Sequence, residues 1–172
     1  LTTWVRKRID AYSWDWQPSS HQRLVLLDHI TDVTYKWLAH SYELHSDEIA
    51  FTSRHEVAFS QTVGQLELRM RVDRIDYVDN AARIVDYKTG RVYRHAWSGP
   101  QMHDPQLPFY ALIVPNTRCI TYASLHPQQW SYQGVSADAS KVSGIIPVEK
   151  FSKDLSHWDD WLTYWREQLN TL

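Results

Sequence analysis

Apolar positions along the chain change period several times, and each change marks an element. Leu26, Ile30, Val33 and Trp37 follow one another at steps of four, three and four, which puts them on one face of an α-helix. Ser19-x-x-Gln22 ahead of them has the form of a capping box, so a helix is predicted over 19–44. The period then falls to two. Residues 54–61 and 65–72 alternate apolar and polar side chains (Val57, Phe59; Leu66, Leu68, Met70, Val72) around a turn at Thr62-Val63-Gly64, the pattern of a β-hairpin. Alternation continues through Ile75 and Tyr77. Asp79-Asn80 is a turn dipeptide, and 82–88 after it reads as a further strand closed by Thr89-Gly90.

Beyond a loop over 97–105, residues 106–114 have helical composition and Pro115 stops them. Residues 118–125 and 130–135 read as two strands. Leu155, Trp158, Leu162, Trp165 and Leu169 form a stripe at steps of three and four, which predicts a closing helix over 151–169. The first 18 residues fit no period and are expected to be irregular. Helices interleaved with strands predict an α/β fold with a mixed central sheet between helices.

Composition narrows the class. The 172 residues are 43% hydrophobic and 22% charged with 5 Gly and 7 Pro, which fits one folded domain and leaves no room for a long disordered tail. The longest apolar run, residues 109–114, falls far short of the ~20 that a spanning helix needs, so a soluble, cytoplasmic protein without membrane attachment is expected. The lone Cys119 can neither form an intramolecular disulfide nor hold zinc or an iron–sulfur cluster by itself. Aromatic residues make up 13% of the chain and are expected in packing and partner contact.

Net charge is −2, yet residues 69–94 hold seven basic side chains (Arg69, Arg71, Arg74, Arg83, Lys88, Arg91, Arg94) against four acids. A basic segment on an acidic body suits either an electropositive face for a polyanion or salt-bridged strands.

The same stretch carries the candidate chemistry. In Asp86-Tyr87-Lys88 a strand period of two puts Asp86 and Lys88 on one face, and leaves the Tyr87 backbone carbonyl as a further oxygen ligand. Asp73, across the hairpin, can join them. Two carboxylates at ~4 Å repel by about 4 kcal/mol at an effective dielectric near 20, a penalty that a divalent cation removes. Oxygen-only ligands suit Mg²⁺ or Mn²⁺. Lys88 would then orient or help deprotonate an attacking water and stabilise charge on phosphoryl oxygens. By itself, Asp-x-Lys is short, and a surface ion pair is the plain alternative.

Taken in order, Arg-Val-Asp73-Arg-Ile-Asp, Val-Asp86-Tyr-Lys88-Thr-Gly and Gln106-Leu-Pro-Phe-Tyr110 closely resemble the PD-(D/E)XK nuclease superfamily, and within it the RecB-family exonuclease domain. The resemblance is strong over 65–112 and holds elsewhere in outline. It implies a restriction-endonuclease-like fold, a metal centre of Asp73, Asp86 and the Tyr87 carbonyl with Lys88 beside it, and a role in catalysis or DNA contact for Gln106 and Tyr110. Their spacing of four independently places those two on one helical face. Asp76 reads as structural, pairing with Arg74 or Arg71, and Asp104 as either a loop cap or a substrate contact.

The family pattern is not complete. Met70 stands where the family has Gly. The upstream helix with its metal-binding His is not found, and His21, His29, His40, His45 and Glu56 are substitutes that no spacing singles out. The terminal cysteine cluster of many relatives is also missing. These gaps, with no initiating Met, suggest a fragment of a larger helicase–nuclease or recombination protein, with exposed apolar surface that favours a homodimer. The leading expectation is a Mg²⁺- or Mn²⁺-dependent DNase of repair and recombination, an exonuclease. The alternatives are an inactive module of the same fold that grips DNA or a partner protein, with Arg71, Arg74, Arg91 and Arg94 as the DNA-binding face, and an unrelated metal-binding or interaction domain.

Overall fold

The computed structural model describes residues 2–11, 18–44, 51–63, 66–99, 102–126, 129–152 and 154–170. The chain divides into two compact units, Leu1–Ser46 and Asp47–Leu172.

The first unit is a helix pair, α1 (Thr2–Ala11) and α2 (Ser20–Leu44). The capping box is present: the Ser19 N–H donates to Gln22 Oε1 (2.8 Å) and the Gln22 N–H to Ser19 Oγ (3.3 Å), which satisfies donors that a helix start leaves without partners. Helix α1 corrects the expectation of irregular structure at the start of the chain. Its apolar face is short, Val5 and Ile9 one turn apart, and tertiary burial against Leu27 stabilises it where period alone gave no signal. Residues 12–17, with Trp14 and Trp16, lie outside the described residues.

The second unit holds a six-stranded mixed sheet in the order β1 (Thr52–Val63), β2 (Leu66–Val78), β3 (Ala81–Lys88), β4 (Thr117–His126), β5 (Gln129–Ser136), β6 (Ile145–Pro147). Three neighbouring pairs are antiparallel, and β3–β4 and β5–β6 are parallel. The β1–β2 hairpin pairs Val63 with Leu66, so Thr62 and Val63 belong to the strand and not to the expected turn. Asp79 and Asn80 take positive φ (47° and 67°), as a two-residue type I′ turn requires, and fix the β2–β3 register. The parallel β3–β4 connection carries a turn of 3₁₀ helix (Arg94–Trp97) and α3 (Gln106–Ile113), which delivers the Gln106 motif to the end of β3.

The closing helix is shorter than its stripe predicts. A four-residue α4 (Val148–Phe151) ends at an extended Ser152, and α5 (Trp158–Leu169) starts after an extended His157. Phe151 leaves the helical line to pack on Trp161 (ring centroids 4.8 Å) and stack on His95 (5.9 Å). Strand β6, with three residues, is too short for a sequence period to reveal. The core lies between the sheet (Ile75, Ile84, Ile120, Val135) and the helices (Leu107, Ala111, Trp161, Trp165), with Trp97 buried beside Tyr122. At roughly 1.5–3 kcal/mol for each large apolar side chain, this burial drives the unit's folding. Among the described residues no helix is long and apolar enough to cross a membrane.

Candidate active site

The antiparallel ladder between β2 and β3 runs from Val78↔Ala81 to Arg74↔Val85. The next step brings Asp73 towards Asp86, and there a side chain takes over: the Tyr87 N–H donates to Asp73 Oδ2 (3.0 Å). On the partner side of β2, the β1 ladder skips Glu56, whose φ is +52°, between His55↔Arg74 and Val57↔Val72. Neither neighbour forms a ladder pair with β2 at Asp73, and the Asp73 carboxylate takes the Tyr87 N–H that the ladder leaves over.

Asp86 is 3% exposed. Its Oδ1 accepts from Gln106 Nε2 (2.9 Å), while its Oδ2 lies 2.8 Å from Lys88 Nζ without a hydrogen bond of good geometry. Lys88 Nζ in turn donates to Gln106 Oε1 (2.9 Å), so one amide closes a ring with the carboxylate and the ammonium. Gln106 Nε2 also approaches the Tyr110 hydroxyl (3.3 Å), one helical turn on, and that hydroxyl donates to the Arg71 carbonyl (3.0 Å). The five side chains named as catalytic from sequence thus gather around the middle of β2, the end of β3 and the first turns of α3.

Sequence left Asp104 between two roles, and its contacts are those of a cap. Its Oδ1 accepts the Gln106 N–H (3.2 Å) and its Oδ2 the Tyr122 hydroxyl (2.6 Å), which itself receives Trp97 Nε1–H (2.8 Å). Asp104 therefore anchors the first turn of α3, where Gln106 sits. Tyr122 and Trp97 were missed. Tyr122 is in parallel register with Asp86, but its place in a strand is all that the sequence shows of it. The Lys88 ammonium lies 5.7 Å from its ring centroid, a cation–π distance.

Burial pushes the Asp86 carboxyl above its ordinary range; Lys88 works against this, and Asp73 and Asp104 reinforce it. For Lys88, burial acts to lower the pKa, but Asp86, Asp104 and Asp73 outweigh it and the net shift is upward. In this arrangement Lys88 is an ammonium at neutral pH, suited to orienting and charge stabilisation and not to taking a proton. Burial and the Asp104 hydrogen bond hold the Tyr122 hydroxyl well above the usual phenol range, so it stays a donor.

The donor set fits a hard divalent cation: two carboxylates from adjacent strands, one with a buried oxygen that only an ammonium approaches. Mg²⁺ typically takes one or two carboxylates and keeps several waters. Asp73, Asp86 and the Tyr87 carbonyl are the residues that would hold it. Among the described residues no group of three or more His, Cys, Asp or Glu forms a fuller cage.

Of the four arginines expected to line a DNA-binding face, one is buried. Arg74 is 8% exposed and forks onto Asp76 (2.6 and 2.8 Å), and Arg83 reaches the same carboxylate (3.2 Å), so Arg74 is withdrawn from that face. Asp76 is structural, as read from sequence, with Ser53 as a further donor (2.5 Å). Arg71 is exposed and paired with Glu56 (2.9 Å). Arg91 is exposed, and Arg94 donates to the Gly144 carbonyl (3.2 Å), whose residue must be glycine because a Cβ would stand 1.9 Å from the Tyr132 oxygen. His21, His29 and His40 are all on α2 of the first unit, and His45 lies outside the described residues.

Among curated proteins no relative matches the chain. A solved structure, that of SSO0001, is similar at 13% identity over 81% of this chain and 77% of that one, with a TM-score of 0.36, too low to carry an argument. The family model of the PD-(D/E)XK nuclease superfamily matches residues 3–172, a superfamily whose nucleases generally use divalent metals. The mixed sheet with flanking helices is consistent with its restriction-endonuclease-like fold. By that match the chain belongs to the PD-(D/E)XK nuclease superfamily.

Proposed function

We propose that this chain is a Mg²⁺- or Mn²⁺-dependent deoxyribonuclease of the RecB-like exonuclease type, acting on DNA in repair or recombination. The observation that carries the reading is the ring of Asp86, Gln106 and Lys88 with Asp73 at its edge, where carboxylates outnumber cations beside an ammonium able to face a phosphate. A bound divalent cation would supply neutralisation of the carboxylates and acidification of a water. Lys88 Nζ would hold that water and a non-bridging phosphoryl oxygen, gaining strength as negative charge grows in the transition state. Gln106 would keep Lys88 and Asp86 at fixed separation, so that little reorganisation accompanies reaction, and Tyr110 would tie Gln106 to β2 through the Arg71 carbonyl.

The test is a fluorescent single strand incubated with Mg²⁺ or Mn²⁺. Wild type should degrade it, and Asp86→Ala and Lys88→Ala should spare it by at least about a hundredfold, the scale of losing one preorganised electrostatic group. Equal cleavage by all three would sink the proposal. A second reading, an inactive module of this fold that binds DNA or a partner protein, is favoured by the two-carboxylate set. It predicts no cleavage but DNA affinity that falls with salt, by about 0.9 in log K per log unit of salt for each duplex phosphate contacted.

A further inference from the structure

An open cavity of about 670 Å³ lies wholly within the second unit, between β2, α3 and α5. Gln106 and Tyr110 form part of its wall, so it begins one side chain from Asp86. The rest of the lining is mostly apolar and includes Met70, Phe109, Leu112 and Ile113, each only partly buried. Two cations also line it: Arg69, exposed and 3.4 Å from the Glu67 carboxylate, and Arg166, exposed and with no ion-pair partner among the described residues. The size is that of a small-ligand pocket. An aromatic ring and a thioether offer apolar surface to a flat ring, and arginines beside them complement a polyanion.

We infer that this cavity seats the nucleobase next to the phosphodiester held at Asp86 and Lys88, with Phe109 as its stacking face and Arg69 and Arg166 on the flanking phosphates. The assignment rests on the nuclease reading for its substrate, and it adds that the strand must be single at this point. A paired base cannot turn into an apolar groove without leaving its partner. Met70, in the position where the family has Gly, then acts as a wall of the base seat.

The experiment is a fluorescence-anisotropy titration of the full chain, in EDTA, with a labelled deoxythymidine oligonucleotide of about ten residues, within the range single-strand sites cover. Single abasic substitutions are scanned along it. On wild type, one or two adjacent abasic positions should weaken binding about tenfold, the scale of a lost base–aromatic stack. Phe109→Ala should weaken the intact strand by a similar factor and be insensitive to those abasic positions. Phe109→Leu, which keeps most of the packing, should do the same if the alanine variant fails to fold. Arg166→Gln should reduce the slope of log K against log salt by about 0.7.

An abasic scan that is flat on wild type overturns the proposal. So does a Phe109→Leu variant with unchanged DNA affinity and an altered sedimentation coefficient, which would make the groove a contact between two copies of the chain. Because the titration excludes metal and turnover, the base seat can fail while metal-dependent cleavage stands, and cleavage can fail while the base seat stands.

Discussion

β2 and β3 carry two charged clusters on opposite faces, set apart by the strands' period of two. On one face Asp76, fully buried, receives two guanidiniums, Arg74 and Arg83, with Ser53 completing its acceptors and the Phe51 ring within 5.6 Å of both arginine centres. On the other, Asp86 and its neighbours Asp73 and Asp104 act on a single ammonium, Lys88. The first cluster is saturated with cations and has nothing left to bind. The second is short of positive charge, and one of its carboxyls is driven towards the protonated form. Burial alone therefore does not mark a functional site, because both Asp76 and Asp86 are buried; the imbalance of charge does.

The largest effect expected from this contrast is on stability. Asp76→Asn leaves two buried guanidiniums facing a neutral amide, which costs about 3–5 kcal/mol, the usual result of breaking a buried ion pair from one side. Burial acts to raise the Asp76 pKa, but Arg74, Ser53 and Arg83 outweigh it and hold it below 3.8. The unfolded chain thus binds a proton more readily than the folded one, so this contribution is present above about pH 4 and is lost as pH falls through the depressed folded value. Urea melts from pH 7 downwards should show wild type losing stability in acid and Asp76→Asn lacking that part of the loss. A variant as stable as wild type at pH 7 would remove the distinction between the clusters.

Asp86 has the opposite sign. Its folded pKa is raised, so the folded state keeps a proton that the unfolded state has released. Stability falls as pH rises from about 3.8 through the folded value, and the penalty persists above it. In EDTA at neutral pH, Asp86→Asn should therefore match or exceed wild type in Tm, although it removes the partner of Lys88. A divalent cation reverses the order: at about a hundred times its Kd it adds roughly 2.7 kcal/mol to wild type and nothing to the variant. Thermal melts with and without Mg²⁺ or Mn²⁺ decide it, and an equal Tm gain in both proteins would place the cation elsewhere.

Much of this is legible in the sequence, because it rests on periods and spacings local to the chain. Asp79-Asn80 set the β2–β3 register, that register faces Asp73 with Asp86, and the four-residue step from Gln106 to Tyr110 survives as a direct contact. What failed depends on partners distant in sequence. Helix α1 needs Leu27 to bury Val5 and Ile9, and the break between α4 and α5 follows from where Phe151 packs. Arg74 looked like a DNA contact because a run of arginines carries no label of facing. Its spacing of two from Asp76, with Arg83 opposite Asp76 across the turn, held the signal for burial. Asp104 is held by Tyr122, eighteen residues on, as well as by the nearby Gln106 N–H, and the first of these contacts has no local signal.

That last contact yields the smallest of the expected effects and the finest test of how the cation-poor cluster is held. Asp104→Asn keeps an oxygen for the Gln106 N–H, so the cap survives, but it sets an NH2, a donor only, against the Tyr122 hydroxyl, whose proton loses its charged acceptor. A charge-assisted hydrogen bond is worth about 1.5–3 kcal/mol, so a loss of roughly 1–2 kcal/mol is expected after partial replacement. Tyr122→Phe removes the same bond from the other side and also leaves the buried Trp97 Nε1–H without its acceptor, so it should cost more. If Asp104 acts through that contact, the double variant loses little more than Tyr122→Phe alone, a coupling of at least about 1 kcal/mol in urea melts. Additive losses would mean that Asp104 and Tyr122 support Gln106 separately, and that their contact does not tie α3 to β4.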